Sequence, residues 1–126
     1  MKNEKIKVSY SNGILHVKYD EGTLVSAEDI KEIYAYGILK SHGKRYCILF
    51  EAVGNYGVSE EAIAYMVNNP SNKDILAKVY ITGTKDAEIK TKLHFVFDNP
   101  KLKPYTFKTT EEGIRFLTDI LKKDLP

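Results

Sequence analysis

The sequence predicts a single α/β domain over residues 1–126, with a mixed β-sheet of about five strands, an N-terminal antiparallel hairpin and about four helices. Three observations predict this class. Apolar residues alternate with polar ones on both sides of Asn12-Gly13, residues 46–53 are nearly all apolar, and several later segments combine a capping residue with apolar residues at helical spacing. Strands that alternate with helices imply right-handed crossovers onto a parallel sheet.

The hairpin is predicted at the start of the chain. Residues 6–10 and 15–19 carry apolar side chains at every second position, which is the period of a half-buried strand. Asn12-Gly13 lies between them and tolerates the positive φ angles of a tight hairpin turn. We therefore expect two antiparallel strands joined by this turn.

Four helices are predicted from capping signals and apolar spacing. The first follows an N-cap at Ser26, the second an N-cap at Ser59, the third spans residues 86–97, and the last follows Thr109. Thr109 and Glu112 have capping-box spacing, so we expect each side chain to satisfy the other residue's backbone N–H.

Three further strands and two connections are predicted between these helices. Residues 46–53 form the central strand, because a continuous apolar run is typical of a strand covered on both faces. Residues 77–82 and 105–107 form the later strands. Residues 54–57 and 68–72 are loops by composition.

Composition and charge exclude several classes of function. The 126 residues are 43% hydrophobic and 29% charged, as in an ordinary globular protein. The net charge of +2 comes from interspersed basic and acidic side chains, so we expect no nucleic-acid partner. No apolar run has the length of a membrane span or a signal-peptide core, and Cys47 is the only cysteine. We expect a cytoplasmic protein that does not span a membrane.

The sequence shows no constellation of catalytic residues. No glycine-rich phosphate loop and no nucleophile elbow occurs. His16, His42 and His94 lie far apart and lack metal-ligand spacing, while Cys47 lies inside an apolar strand, where a thiol is poorly reactive. We therefore predict a non-enzymatic protein with no cofactor, no metal and no catalytic residue.

The order of elements resembles that of STAS domains in the SpoIIAA-like superfamily, in particular small stand-alone bacterial STAS-like proteins of unassigned function. Three segments carry the resemblance: CILFEAVG at 47–54, VSEEA at 58–62 and FKTTEEGIRFL at 107–117. The resemblance implies a protein-interaction or regulatory role. Ser59 falls where anti-sigma-factor antagonists of the superfamily carry a phosphorylated serine, but Val58 and Glu60 replace the flanking aspartate and second serine.

The candidate partner-binding or regulatory residues lie at the end of the central strand and in the connection after it: Glu51, Asn55, Tyr56, Ser59 and Glu60. A carboxylate beside Phe50 is costly to bury, so we expect Glu51 at an exposed strand end. Carboxyl ends of parallel strands are also where open α/β sheets bind ligands. We interpret Ser59 as an N-cap, with a phosphorylation site as the alternative.

An unidentified protein is the expected partner. The alternative is a small-molecule or lipid-binding domain, which the apolar residues 95–97 of the third helix favour. Sheet edges and tyrosine-bearing helices also allow a homodimer.

Overall fold

The secondary structure is taken from a computed structural model that describes residues 1–69, 73–81 and 104–124. In this part of the chain, the strands are β1 (Ile6–Ser11), β2 (Ile14–Tyr19), β3 (Thr23–Val25), β4 (Tyr46–Ala52), β5 (Tyr56–Val58), β6 (Ile75–Ile81) and β7 (Pro104–Phe107). The helices are α1 (Ala27–Ser41), α2 (Glu60–Asn68) and α3 (Thr110–Lys123).

The main sheet has five strands in the order β1-β2-β4-β6-β7. β1 and β2 are antiparallel, and every other neighbouring pair is parallel. The turn between β1 and β2 places Asn12 at φ 52° and Gly13 at φ 83°, the left-handed conformation that Asn-Gly tolerates. The predicted mixed α/β sheet with an N-terminal hairpin is therefore confirmed.

The central strand of the sheet is β4, as predicted. It pairs in parallel with β2 on one side and β6 on the other, and its first five side chains are buried. Alternate side chains enter two cores. Tyr46, Ile48 and Phe50 pack with α1 and α2, whereas Cys47 and Leu49 pack beneath α3. The sheet is thus the middle layer of three.

The N-caps predicted at Ser26 and Thr109 both mark true helix starts, but the two caps differ in detail. At α1 the reciprocal box is complete, with Asp29 N donating to Ser26 Oγ and Ser26 N to Asp29 Oδ2. At α3, Glu112 N donates to Thr109 Oγ1, whereas the Glu112 carboxylate accepts from the Thr109 hydroxyl at 2.9 Å. The predicted bond from the Thr109 backbone N–H to the Glu112 side chain is therefore wrong. The Thr109 hydroxyl can donate and accept at once, and it makes both bonds to Glu112.

The structure also contains a second, two-stranded sheet that the sequence did not predict. β3 and β5 pair in parallel, and β5 begins at Tyr56, inside the segment 54–57 that composition predicted as a loop. Three-residue strands carry too little periodicity to be recognised, and their pairing partner is remote in sequence.

The start of β6 differs from the prediction, and some predicted segments lie outside the described residues. β6 begins at Ile75, two residues before the predicted start. The predicted third helix, residues 86–97, lies outside the described residues, as does the 70–72 part of the predicted loop. The described residues therefore contain three helices where the sequence predicted about four.

The core between the main sheet and helices α1 and α2 contains the hydroxyl of Tyr46, which is buried. The described residues supply no hydrogen-bond partner for it. The Tyr46 ring contacts helix α1 at Gly37, where a β-carbon would lie 2.8 Å from Cε2, Cζ and Oη of the tyrosine. Burial, together with the nearby Tyr34 and Asp74, raises the pKa of Tyr46 well above its ordinary value. Gly37 is thus required for the close approach of α1 to the sheet.

Substitutions of Tyr46 and Gly37 are expected to change the free energy of unfolding in opposite directions. Tyr46→Phe removes a buried hydroxyl without a partner, so the free energy of unfolding should rise by about 1 kcal/mol. Gly37→Ala forces a methyl group against a fully buried ring. It should lower the free energy of unfolding by about 1–3 kcal/mol, despite the high helix propensity of alanine. Urea unfolding followed by circular dichroism measures both. A clear loss of stability in Tyr46→Phe would show that the hydroxyl is satisfied.

The Cys47 thiol is expected to be inert in the folded protein. Burial raises its pKa to about 12, although a hydrogen bond from the Ala77 backbone lowers it in part. Against an ordinary value of 9.0, this leaves about a thousandfold less thiolate at neutral pH. Labelling with a disulfide reagent at pH 8 should be slow in the folded protein and fast in urea.

The same shift predicts a pH dependence of stability. The unfolded chain loses the thiol proton near pH 9, whereas the folded chain retains it to about pH 12, so stability should fall as the pH rises through this window. Cys47→Ala should flatten the decline, and an identical decline in that variant would refute the assignment.

Candidate functional site

Two connections at the carboxyl ends of β2 and β4 form one surface. Val53 N donates to Tyr19 O at 2.8 Å, Gly22 N to Asn55 O at 2.7 Å, and Ser59 N to Val25 O at 3.0 Å. These bonds hold the small β3–β5 sheet against the end of the main sheet. We call residues 20–25 and 53–60 the rim.

Four of the five predicted site residues lie in the rim. Ser59 caps α2 as predicted, because its Oγ accepts from Ala62 N at 3.1 Å, and Glu60 lies exposed in the first turn. The side chain of Asn55 is exposed. Tyr56, which the sequence placed in a loop, is half-buried in β5, with its ring centroid 5.1 Å from that of Tyr19.

The rim also contains an exposed leucine, Leu24, that was not predicted from the sequence. Leu24 is 77% exposed because β3 is a strand whose flanking residues, Thr23 and Val25, point into the core. Gly57 lies opposite Leu24 in the pairing, and a β-carbon there would lie 3.1 Å from the Leu24 side chain. The signal available in the sequence was the pair of β-branched residues on either side of Leu24, Thr23 and Val25, which favours an extended strand.

The rim is acidic as well as partly apolar. Residues 20–25 and 53–60 contain three carboxylates and no lysine or arginine, in a chain whose net charge is +2. One ammonium comes close, since Lys5 Nζ donates to the Glu21 carbonyl at 3.1 Å. Val53 adds a second apolar side chain, 49% exposed, at the end of β4.

The fifth predicted residue, Glu51, faces the opposite side of the main sheet. Its Oε2 lies 2.8 Å from His16 Nε2, and its Oε1 accepts from the Thr110 hydroxyl at 3.1 Å. Thr110 is the first residue of α3, so the carboxylate lies at the positive end of that helix. Glu51 and His16 are 26% and 30% exposed, which explains how a carboxylate is tolerated at the end of a buried strand.

His16 was assigned no role from the sequence. It lies between the buried Leu15 and Val17 of β2, and strand alternation turns it to the α3 face. Its contact with Glu51 depends on the parallel pairing of β2 with β4, which brings together residues 35 positions apart. No local pattern indicates such a pairing.

The described residues contain neither a cluster of metal ligands nor a membrane-crossing helix. Among residues 1–69, 73–81 and 104–124, no group of three or more histidine, cysteine, aspartate or glutamate side chains is placed to hold a metal ion. No described helix combines the length and apolarity needed to cross a bilayer.

The fold is similar to that of a solved structure. An uncharacterized protein of the DUF3478 family, with a SpoIIAA-like fold, from Shewanella loihica PV-4 aligns with a TM-score of 0.58 and 14% identity, over 89% of this chain and 91% of that chain. The predicted SpoIIAA-like fold is thereby confirmed. No curated protein matches the sequence. Residues 8–121 match the family model described as Domain of unknown function (DUF7793), and the chain therefore belongs to that family.

Proposed function

We propose that this chain is a non-enzymatic protein-interaction module whose rim binds a partner protein. The observation that carries the proposal is Leu24, whose side chain is 77% exposed on the outer face of the β3–β5 sheet. Burying one such side chain in an interface is worth about 1.5–3 kcal/mol. Val53 enlarges the apolar area at the same end of the sheet.

The chemistry of the reactive side chains in the described residues supports binding without catalysis. The Ser59 hydroxyl caps α2, and the Cys47 thiol is buried and protonated. A buried free thiol also fits a reducing compartment such as the cytoplasm. Each group therefore has a structural role in the fold.

The charge of the rim indicates the kind of partner. Its three carboxylates surround an apolar contact, so a complementary surface would carry lysine or arginine around an apolar centre. A second copy of this chain fits poorly in a symmetric contact, because two acidic rims would then face each other. A regulatory role follows if the partner is a signalling protein.

The rim is tested by reversing its apolar character at one position. Leu24→Asp should weaken binding of a partner captured by the wild-type chain by at least tenfold, since it removes the apolar contact and adds a fourth carboxylate to the rim. The matched control is Leu39→Asp, in α1, where the leucine is 69% exposed. Calorimetry with the purified partner measures the dissociation constants.

The affinity measurements distinguish three results. Loss of affinity in Leu24→Asp alone, with binding that weakens as salt is raised, supports the rim. Equal affinity in both variants and the wild type would refute it. Equal loss in both variants would count against the rim as well, because the effect would then not depend on where the carboxylate is added.

The alternative of a lipid-binding domain remains a prediction. It was based on residues 95–97, which lie outside the described residues. Homodimerisation through an edge of the main sheet also remains a prediction.

A further inference from the structure

A cavity lies on the face of the main sheet opposite α1 and α2, between the β1–β2 hairpin and α3. Its volume is about 170 Å³, and its apolar wall consists of Ile14, Leu49 and Ile114. A cavity of roughly 150 Å³ lined by apolar side chains holds one benzene molecule. This cavity therefore has room for a molecule with one six-membered ring.

The His16 side chain lines the cavity, and Glu51 fixes its tautomer. An ionised carboxylate only accepts hydrogen bonds, so the ring proton of a neutral His16 lies on Nε2, which faces Glu51. Nδ1 is then left with a lone pair, and no described residue donates to it. The second bond of Glu51, from Thr110, holds the carboxylate in place for this contact.

Besides His16, four polar side chains line the same cavity: Ser9, Ser11, Asn12 and Thr118. The Thr118 hydroxyl donates to the Ile114 carbonyl at 2.7 Å, so its oxygen presents lone pairs to other groups. Ser9 lies directly opposite His16 in the β1–β2 pairing, and its hydroxyl can donate or accept. The cavity wall thus offers both acceptors and donors to a ligand hydroxyl, since each serine hydroxyl can donate or accept and the Asn12 amide does both.

The charges of the described residues around the cavity disfavour an anionic occupant. Among the described lining residues, His16 is the one titratable side chain, and its Nε2 already contacts Glu51. An anion would approach the Glu51 carboxylate behind His16, and no lysine or arginine is among the described lining residues. Repulsion and the cost of desolvation would both oppose binding.

We propose that this cavity is a binding site for a small uncharged compound that carries one aromatic or alicyclic ring and a hydroxyl group. The ring contacts Ile14, Leu49 and Ile114, and the hydroxyl donates to His16 Nδ1. The site goes beyond the proposed interaction role and lies on the other face of the sheet from the rim, so either can fail without the other.

The first experiment compares three probes on the full chain by titration calorimetry and amide chemical shifts. The probes are p-cresol, toluene, which lacks the hydroxyl, and benzoate, which is anionic. We expect p-cresol to bind with a dissociation constant on the order of 1 mM or tighter. Toluene should bind about three- to tenfold more weakly, the equivalent of one hydrogen bond, and benzoate more weakly still.

The second experiment removes the acceptor. His16→Phe keeps a ring of similar size and should abolish the preference for p-cresol over toluene while leaving toluene binding within about twofold. The matched control is His42→Asn, at the exposed left-handed cap of α1, where asparagine tolerates the positive φ of 55°. This control should bind all three probes like the wild type.

A variant with a smaller change covers the case in which His16→Phe does not fold. Glu51→Gln keeps the shape of the side chain but can donate to His16 Nε2, which releases the imidazole tautomer, so the preference for p-cresol should shrink. Equal binding of p-cresol and toluene to the wild type would overturn the proposal. So would tighter binding of benzoate, or shifts that fall outside β1, β2, β4 and α3.

Discussion

The burial of β4 on both faces and both edges is the constraint on which the rest of the structure depends. Tyr46, Ile48 and Phe50 fill one core and Cys47 and Leu49 the other, while β2 and β6 satisfy the backbone on either side. Backbone groups that are removed from water in this way must all be paired. β4 therefore fixes the register of its neighbours and the positions of the helices on both faces.

The end of β4 distributes the polar groups between the two faces. Because side chains alternate along a strand, Glu51 emerges on the α3 face, where His16 and Thr110 meet it. The chain then leaves the sheet and forms β5 and the start of α2 on the other face. The end of β4 thus separates the His16–Glu51 contact, which lies beside the partly apolar cavity, from the acidic, partly apolar rim, and the two proposed binding surfaces follow from that separation.

Features encoded within a few residues were predictable from the sequence. The Asn12-Gly13 turn, the apolar run of β4 and the Ser59 cap each have a local physical cause, and each is present in the structure. The contact of His16 with Glu51 was not predictable, because it depends on parallel pairing across 35 positions. The exposure of Leu24 was missed for a similar reason, since the three-residue β3 is defined mainly by its pairing with β5.

Amide hydrogen exchange under native conditions tests the central role of β4 most directly. If β4 is the structural centre, its amides from Cys47 to Phe50 should be among the slowest in the chain and should exchange only through global unfolding. Their opening free energy should then equal the free energy of unfolding, whereas the edge strand β1 should exchange faster. Exchange of the β4 amides at the rate of β1, through a local opening, would contradict the account.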